Sequence, residues 1–371
     1  MTFLVLNCGS SSIKYAVFEA DGRTQRLEGL VEHLGETGGP DLRTALETVL
    51  ARLPFRDAIT AVGHRVVHGG ESFVAPTRID DAVLEALRPL DNLAPLHNPV
   101  ARQALLQCRA LLPDCPQFAF FDTAFHRSMP ARASTYAVPR SWRAEGQHRY
   151  GFHGLSHAHV CGEAARLLGR PLHDLNLISL HLGNGASAAA VERGRCVDTS
   201  MGFTPLEGLV MGTRGGDLDP GLLLQRLRDG SSLSQLEQEL TRESGLRGLC
   251  GDSDLRTIRG RAAAGDAEAR LALEVFTYRI RKYIGAYLAV LGRADALVFT
   301  GGIGEHDAQT RAEVLSGLEG LGFQLDGPRN AACRGGPAAI QRDGAPIALF
   351  VIPSDEAREI ARALRDTLDR S

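Results

Sequence analysis

The chain has 371 residues, of which 44% are hydrophobic and 23% are charged, and its formal net charge is −3 at pH 7. This balance is typical of a globular protein with two domains, and it gives no reason to expect nucleic acid or a membrane as a partner. No apolar run approaches the roughly 20 residues of a transmembrane helix. The N-terminus shows no signal-peptide pattern, and the seven cysteines form no C-x-x-C pair, so we expect a cytoplasmic protein without structural zinc.

Strand-like and helix-like runs alternate along the chain, which predicts the α/β class. The strand-like runs are residues 3–6, 12–18, 59–63, 117–121, 176–181, 296–300 and 346–352. The helix-like runs begin near residues 41, 80, 99, 154, 219, 231, 265, 307 and 355. Asp80 and Asn98-Pro99 are typical helix starts. The stretch 265–291 is apolar on more than one face, so we expect a long helix in a core, with a subunit interface as the alternative.

The first motif along the chain is a turn of small and polar residues between two strand-like runs. Gly9 lets the backbone approach an anion, Ser10 and Ser12 donate hydrogen bonds, and Lys14 adds a positive charge. Lys14 and Lys282 are the only lysines among 41 basic residues. The pattern predicts phosphate or nucleotide binding, and an ordinary serine-rich hairpin at a sheet edge is the alternative.

Residues 176–191 repeat the design of this opening hairpin. Gly9 and Gly183 both occupy the turn, and Val17 and Val191 both lie in the return strand, at an offset of 174 residues. We therefore expect a duplicated domain in which each half presents a turn of small residues to a shared cleft. A third glycine turn, residues 301–304, follows a strand and precedes a helix, where a backbone can lie against a nucleotide.

Taken together, short motifs along the whole chain resemble those of the acetokinase family of acetate, propionate and butyrate kinases. They are Asn-Cys-Gly-Ser-Ser-Ser-Ile-Lys (7–14), Gly-His-Arg-Val-Val-His-Gly-Gly (63–70), Leu-Ala-Pro-Leu-His-Asn-Pro (93–99), Phe-Asp-Thr-Ala-Phe-His (121–126), Tyr-Gly-Phe-His-Gly-Leu-Ser-His (150–157), His-Leu-Gly-Asn-Gly-Ala-Ser (181–187), Asp-Thr-Ser-Met-Gly (198–202), Thr-Pro-Leu-Glu-Gly (204–208), Met-Gly-Thr-Arg (211–214), Phe-Thr-Gly-Gly-Ile-Gly-Glu (299–305) and Ser-Asp-Glu (354–356). The chain departs from the family pattern at Thr257 and His306, which leaves the choice of nucleotide donor open.

The resemblance implies a duplicated actin-like ATPase fold, shared with sugar kinases and Hsp70, with two domains around a nucleotide cleft. The first domain would comprise residues 1–122 and 358–371, and the second residues 123–357. The implied reaction is reversible, direct in-line transfer of a phosphoryl group from ATP to acetate, giving acetyl phosphate and ADP. It needs Mg²⁺, with Mn²⁺ as an alternative, and the resemblance also implies a homodimer formed by the C-terminal domain.

The resemblance also implies a set of site residues. The catalytic residues would be Asp122, Arg65, Arg214 and His153. Arg65 would also bind the acid, whose methyl group would contact Val67, Leu96, Phe152 and Pro205. The nucleotide and its phosphates would contact Ser10, Ser12, Lys14, His181, Gly183, Asn184, Gly185, Asp254, Arg256, Gly301, Gly302, Ile303 and Gly304. The metal would be bound by Asn7 and Glu356.

The proposed chemistry agrees with these residue types. A carboxylate is already ionised at neutral pH, so phosphoryl transfer to it needs cations and hydrogen-bond donors and no general base. Asp122 would therefore orient a catalytic arginine or histidine and metal-bound water, whereas in an alcohol kinase it would be the base. More ordinary roles are a solvated surface position for Arg65, a capping box for Glu356 after Pro353 and Ser354, and hydrogen bonds at a helix start for His153 and His157. Half a zinc site is a further alternative for the two histidines, but the chain has no H-E-x-x-H motif and no cysteine at zinc-finger spacing, which argues against it.

Three other functions remain open from the sequence. The first is a kinase of the same family that acts on propionate or butyrate, which only substrate kinetics would distinguish from an acetate kinase. A nucleotide-driven binding module of the Hsp70 or actin type shares the phosphate hairpins but does not need Arg65, Arg214 and an apolar acyl pocket together. A sugar kinase needs an aspartate base, which Asp122 supplies, and a polar sugar pocket, which the apolar residues do not.

Overall fold

The computed structural model describes residues 2–34, 39–53, 58–95 and 97–370. The chain separates into two compact units. Unit 1 comprises Met1–Arg127, Phe152–His159 and Asp355–Ser371, and unit 2 comprises Ser128–Gly151 and Val160–Ser354. The domain boundaries predicted at 122 and 358 stay a prediction.

The described residues form strands and helices in alternation. The strands are β1 (Thr2–Cys8), β2 (Ser12–Glu19), β3 (Gln25–Glu32), β4 (Ile59–Val66), β5 (Thr77–Arg78), β6 (Gln117–Phe121), β7 (Asn176–Leu182), β8 (Ala186–Glu192), β9 (Arg195–Thr199), β10 (Ala296–Thr300), β11 (Ala338–Ala339) and β12 (Ala348–Val351). The α-helices are α1 (Leu42–Ala51), α2 (Asp81–Leu87), α3 (Asn98–Leu111), α4 (Ala131–Ser134), α5 (Arg140–Ala144), α6 (Gly154–Leu168), α7 (Pro220–Arg228), α8 (Leu233–Gln238), α9 (Gly245–Cys250), α10 (Leu255–Ala263), α11 (Ala267–Leu291), α12 (Gly301–His306), α13 (Ala308–Leu315), α14 (Gly327–Ala332) and α15 (Glu356–Leu368). Every helix within the described ranges is too short or too polar to cross a membrane.

The two units contain sheets of the same design. The strand order is β3-β2-β1-β4-β6-β5 in unit 1 and β9-β8-β7-β10-β12-β11 in unit 2. In unit 1, β1, β4 and β6 are parallel, and β2, β3 and β5 pair antiparallel with their neighbours. Unit 2 repeats this pattern strand for strand. The expected duplication is confirmed, and the architecture is the duplicated actin-like ATPase fold that the resemblance implied.

The two hairpins differ in the length of their turns. Gly9 and Gly183 both lie in the turn, as predicted. Asn7 pairs with Lys14 in the first hairpin, whereas in the second His181 pairs with Ser187. The second turn is therefore one residue shorter. Equivalent residues are 174 positions apart in the first strands of the two hairpins, β1 and β7, and one position fewer apart in the return strands, β2 and β8.

The first sheet buries both of its faces. One face contributes Leu4 and Leu6 and packs on α1, and the opposite face contributes Phe3 and Val5 and packs on α15. Burial on both faces explains why residues 3–6 are continuously apolar. Because β1, β4 and β6 are parallel, their carboxyl ends meet at one edge of the sheet, where ligands of open α/β sheets usually bind.

Helix α11 packs on β7 and β8 in unit 2. Its buried side chains are Ala269, Ala272, Leu273, Phe276, Thr277, Ile280, Ile284, Tyr287 and Leu291. Leu271, Tyr278 and Val290 on the same helix remain exposed. The helix therefore buries one face in the core of unit 2 and leaves apolar side chains elsewhere on its surface.

The predicted strands and helices are confirmed, and so are the helix starts at Asp80 and Asn98-Pro99. The strands that the apolar runs did not predict lie mainly at or near the sheet edges. In β3, half-buried residues alternate with exposed ones, so this strand has little of the apolar signal that identifies a central strand. The strands β5 and β11 contain only two residues each.

Candidate active site

The opening hairpin, formed by β1 and β2, has a tight turn and, next to it, one pair of polar residues. The Gly9 N–H donates to the Ser12 carbonyl at 2.8 Å and closes the turn. Ser10 is exposed at the tip, and Asn7 and Lys14 pair across the two strands. Since directly paired residues of an antiparallel ladder lie on the same face, these two side chains share one face. The predicted metal ligand Asn7 thus lies among the predicted phosphate contacts of unit 1.

Arg65, Asp122 and Glu356 form one ion-paired cluster in unit 1. Arg65 Nε donates to Asp122 Oδ1 at 3.0 Å, and Nη2 donates to Oδ2 at 2.6 Å. Arg65 Nη1 lies 3.1 Å from Glu356 Oε2. Burial disfavours the charged guanidinium, but the two carboxylates outweigh burial and raise the pKa of Arg65. The interpretation of Arg65 as a solvated surface residue is therefore wrong.

The guanidinium of Arg65 has two edges with different partners. Asp122 occupies the edge formed by Nε and Nη2, in the bidentate geometry typical of arginine–carboxylate pairs. Glu356 contacts Nη1 on the other edge. This second edge lies between the two Nη nitrogens, and a guanidinium can bind a second carboxylate there. Asp122 is 1% exposed, and its two hydrogen bonds fix the orientation of the guanidinium.

Glu356 is the first residue of α15, and its interpretation as part of a capping box is wrong. The cap is Asp355, whose Oδ1 accepts from the Arg358 N–H at 2.8 Å. The Glu356 carboxylate therefore has no capping role and pairs with Arg65. Its position at the N-terminus of a helix also favours its negative charge, because the helix dipole is positive there.

The backbone holds His153 beside Asp122. The N–H of Gly154, the next residue, donates to the Asp122 carbonyl at 3.0 Å. A Cβ at Gly154 would lie 2.0 Å from that oxygen, so only glycine permits this approach. His153 itself has a left-handed backbone with φ 57°, which costs about 1–3 kcal/mol for a residue other than glycine and is typical of functional sites.

The residues predicted to contact a methyl group are only partly described. Phe152 is buried against His68, with ring centroids 5.6 Å apart in an edge-to-face arrangement. The Phe152 carbonyl accepts from His126 Nε2 at 2.9 Å. Val67 is half-buried just after β4, and Leu96 lies outside the described residues. The acyl pocket therefore stays a prediction.

Unit 2 contains a cavity of about 690 Å³, a size typical of small-molecule sites. Its lining includes these predicted nucleotide contacts: Gly183, Asn184, Asp254, Arg256, Gly302 and Ile303. It also includes Arg259, His306 and Asp307, to which the sequence interpretation assigned no contact. Arg259 lies three residues after Arg256 on α10, so helical spacing was an available signal for it.

The other predicted nucleotide residues of unit 2 lie in the elements that carry this lining. His181 is in β7, Gly185 is in the following turn, and Gly301 and Gly304 are in α12. Gly301 has φ 75°, and a Cβ there would lie 2.7 Å from the Leu182 carbonyl oxygen. The β7 strand and the start of α12 therefore approach each other closely because Gly301 has no side chain.

The charges lining the cavity are largely compensated. Arg256 Nη2 lies 2.6 Å from Asp254 Oδ2, and the hydrogen bond from Arg256 lowers the pKa of Asp254 to about 2. Arg259 lies 2.7 Å from Asp307 and 2.9 Å from Glu313.

In the same lining, Gly212 packs closely on Asn184, because a Cβ at Gly212 would lie 2.0 Å from Asn184 Oδ1.

Arg214 differs from these arginines. Its Nη1 donates to the Pro205 carbonyl at 2.8 Å, and within the described part of the chain it has no carboxylate partner. Burial lowers the pKa of Arg214. A partly buried guanidinium without a counter-charge is costly, so the arrangement favours binding of an anion from outside the chain.

Two further histidines of unit 1 are buried in neutral form. His64 Nε2 lies 2.9 Å from Gln117 Oε1, an arrangement in which the imidazole N–H donates. Burial lowers the pKa of His64 and of His126 to about 4. His126 donates to the Phe152 carbonyl and packs edge-to-face on Phe125 and His157, so both histidines are buried in contact with neutral groups.

We expect the substitution Gly154→Ala to destabilise the protein, because the new Cβ would clash with the Asp122 carbonyl and with Phe125 Cβ at 2.8 Å. The expected loss is about 1–3 kcal/mol in the free energy of unfolding, measured by urea titration. Gly162→Ala on the same helix is the control, because a Cβ at Gly162 would have no atom within 4 Å. Equal stability of the two variants would contradict the close approach.

We expect the free energy of unfolding to fall as the pH is lowered from about 6.5 to 4. An unfolded imidazole has a pKa of about 6.5, whereas folded His64 and His126 have a pKa of about 4. As the pH falls through this window, the two histidines take up protons in the unfolded chain before they do so in the folded protein. Their contribution to the free energy of unfolding is therefore fully present above pH 6.5 and is lost progressively below it. Urea titrations should show a weaker pH dependence for His64→Gln, and no change for His173→Gln, whose side chain is 78% exposed. An unchanged dependence in His64→Gln would contradict the buried neutral state.

Comparisons with known proteins agree with this arrangement. A model described as the acetokinase family matches residues 2–49 and 40–362. An acetate kinase from Syntrophobacter fumaroxidans is 48% identical over 402 residues, which cover 100% of this chain and 98% of that protein. The crystal structure of Porphyromonas gingivalis acetate kinase has a TM-score of 0.92 at 38% identity and 99% coverage of both chains. A propionate kinase from Francisella tularensis has a TM-score of 0.91 at 37% identity and 98% coverage of both chains. The chain belongs to the acetokinase family.

Proposed function

We propose that this protein catalyses the reversible transfer of the γ-phosphoryl group of ATP to acetate, which gives acetyl phosphate and ADP. The observation that carries the proposal is Arg214, a partly buried guanidinium with no carboxylate partner within the described residues. Phosphoryl transfer spreads negative charge over the transferring oxygens, and a guanidinium is well suited to stabilise it. The full-length similarity to acetate kinases supports the same reaction.

The residues of unit 1 would bind and orient the acid. Arg65 would accept the acetate carboxylate on the edge where Glu356 now lies, while Asp122 keeps the guanidinium in place. Because acetate is ionised at neutral pH, the reaction needs no general base. Asp122 has both oxygens on Arg65, which argues against its use as the base of a sugar kinase. His153 would contribute a hydrogen bond to the transferring group.

The cavity of unit 2 would bind the nucleotide. Asn184 with the glycine backbone at 183 and 302 would contact the phosphates, and Asp254 with Arg256 would contact the nucleoside. His306, at which the chain departs from the family pattern, lies in the lining. We propose ATP as the donor, and we propose that His306 affects the preference among nucleotides.

The residues proposed for magnesium fit that ion. Mg²⁺ prefers oxygen ligands and is usually bound through one or two protein oxygens together with substrate phosphates and water. Asn7 and Glu356 supply an amide oxygen and a carboxylate. Within the described ranges, no group of three or more His, Cys, Asp or Glu could hold a metal by itself, so a substrate-dependent ion fits better. Bound Mg²⁺, or Mn²⁺ as the alternative, would neutralise phosphate charge.

A kinase acting mainly on propionate is the second candidate, because a propionate kinase matches this structure nearly as well as an acetate kinase does. An apolar pocket discriminates one methylene group by only about 1–3 kcal/mol. We therefore propose acetate as the preferred acid, with Val67, Leu96, Phe152 and Pro205 next to its methyl group, and propionate as a slower substrate.

We also propose a homodimer formed through unit 2, in the cytoplasm. Two helices of this unit leave large apolar side chains exposed. They are Leu271, Tyr278 and Val290 on α11 and Leu222, Leu224 and Leu227 on α7. Exposed large apolar side chains are buried when they lie in a protein interface, which supports unit 2 as the location of the dimer contact. A cytoplasmic location fits the use of ATP as a substrate.

Arg214→Ala tests the central assignment. We expect kcat for acetyl phosphate formation, trapped as the hydroxamate, to fall about 100-fold or more, because one preorganised donor to the transition state is removed. ADP binding measured by calorimetry should change less than about threefold, since Arg214 does not line the cavity. Arg166→Ala, at a side chain that is 62% exposed, is the control. A variant that retains full kcat would remove Arg214 from the site.

Glu356→Gln tests the exchange at Arg65. Without nucleotide and metal, acetate should bind this variant about three- to tenfold more tightly than the parent, because a charged competitor for the guanidinium is lost. Line broadening of labelled acetate in NMR spectra measures the affinity. Asp366→Asn, which also removes a carboxylate of α15, should bind acetate like the parent. Weaker acetate binding in Glu356→Gln would show that the glutamate and the acid do not share one edge of Arg65.

A further inference from the structure

One arginine of unit 2 ties together both ends of the loop that carries Pro205. Arg149 Nη1 donates to three successive carbonyls, those of residues 199–201, each at 3.1 Å. Arg149 Nη2 donates to Glu207 Oε1 at 2.5 Å. The acyl-pocket candidate Pro205 lies between these two attachment points. A single guanidinium therefore fixes the path of residues 199–207.

Tyr136 completes this arrangement from the other side. Its hydroxyl donates to Glu207 Oε2 and accepts from the Phe203 N–H at 2.9 Å. Gly202 leaves the necessary space, because a Cβ there would lie 1.8 Å from Glu207 Oε2 and 2.1 Å from the Tyr136 oxygen. Both carboxylate oxygens of Glu207 are thus engaged, one by Arg149 and one by Tyr136.

The loop in turn contacts Arg214. Arg214 Nη1 donates to the Pro205 carbonyl at 2.8 Å, and Pro205 lies two residues before Glu207. We propose that Arg149, Tyr136 and Glu207 are positioning residues for Arg214: they hold the Pro205 carbonyl, and this carbonyl aims the guanidinium at the transferring phosphoryl group. The inference rests on the proposed function, since it assigns these residues to the same reaction.

The pairing of Glu207 also protects the charge of Arg214. Glu207 is a carboxylate on the loop that contacts Arg214, and its negative charge is compensated by Arg149. Without Arg149, the partly buried carboxylate of Glu207 would lack a counter-charge, and pairing with another nearby cation would then lower its energy. Loss of Arg149 should therefore harm the reaction twice, by releasing the loop and by offering Arg214 an internal anion in competition with the substrate.

Tyr136→Phe is the mildest test of positioning. We expect kcat for acetyl phosphate formation to fall about tenfold, because small misplacements of a catalytic group are costly, while the KM for ATP and the Kd for ADP stay within about twofold. Tyr150→Phe is the matched control, since its hydroxyl donates to the Gly146 carbonyl at 3.1 Å and not to Glu207. An unchanged kcat in Tyr136→Phe, with or without a lower melting temperature, would overturn the proposal.

A double substitution separates positioning from simple stability. Arg149→Met should lower kcat more than Arg149→Met combined with Glu207→Gln, because the second change removes the unpaired carboxylate. A purely structural cluster predicts the opposite order, since the double variant loses more hydrogen bonds, and that order would overturn the proposal. Arg170→Met is the control for loss of an arginine, because Arg170 pairs with Asp295 at 2.8 Å and donates to the Asp174 carbonyl.

The parent protein is measured in the same assay, so the two levels of the proposal can be told apart. An inactive parent that still binds ADP contradicts the proposed function, and the positioning role falls with it. An active parent with an unaffected Tyr136→Phe variant contradicts the positioning role alone.

Discussion

The proposed chemistry depends on how each unit accommodates a partly buried guanidinium. Taking such a charge out of water costs several kcal/mol unless a negative charge accompanies it. In unit 1, Arg65 has two carboxylates, one of which contacts the edge that a ligand would use. In unit 2, Arg214 has the Pro205 carbonyl and, among the described residues, no carboxylate. In the proposed reaction, the first guanidinium would exchange Glu356 for the carboxylate of the acid, and the second would pair with the transferring phosphoryl group.

Close backbone approaches keep these groups in place. Gly154 brings the start of α6 against Asp122, Gly212 lies against Asn184, and Gly202 lies against Glu207, each at a distance that a Cβ would not allow. In each case the absent side chain lets a proposed functional residue contact the main chain directly. Rigid placement of this kind is what electrostatic catalysis requires, because donors must already point at the developing charge when the reaction begins.

The sequence predicted the α/β class, the central strands and the duplicated hairpins, because continuous apolar runs and a repeated turn are local signals. It missed edge strands such as β3, whose residues alternate between half-buried and exposed. The alternative role of Glu356 in a capping box is wrong, since Ser354 and Asp355 are both residue types that cap helices and only the backbone geometry selects Asp355. The contacts of Glu207 with Arg149 and Tyr136 join residues far apart in the chain, so no spacing rule could reveal them.

The most direct test of the proposed function is acyl phosphate formation by the purified protein with ATP and Mg²⁺, trapped as the hydroxamate, with acetate, propionate and butyrate compared at equal concentrations. We expect acetate to give the highest kcat/KM, propionate to be slower, and ATP consumption to match the acyl phosphate formed. If ATP were hydrolysed without acyl phosphate from any of these acids, and peptides stimulated the hydrolysis, the protein would be a nucleotide-driven binding module and not a carboxylate kinase.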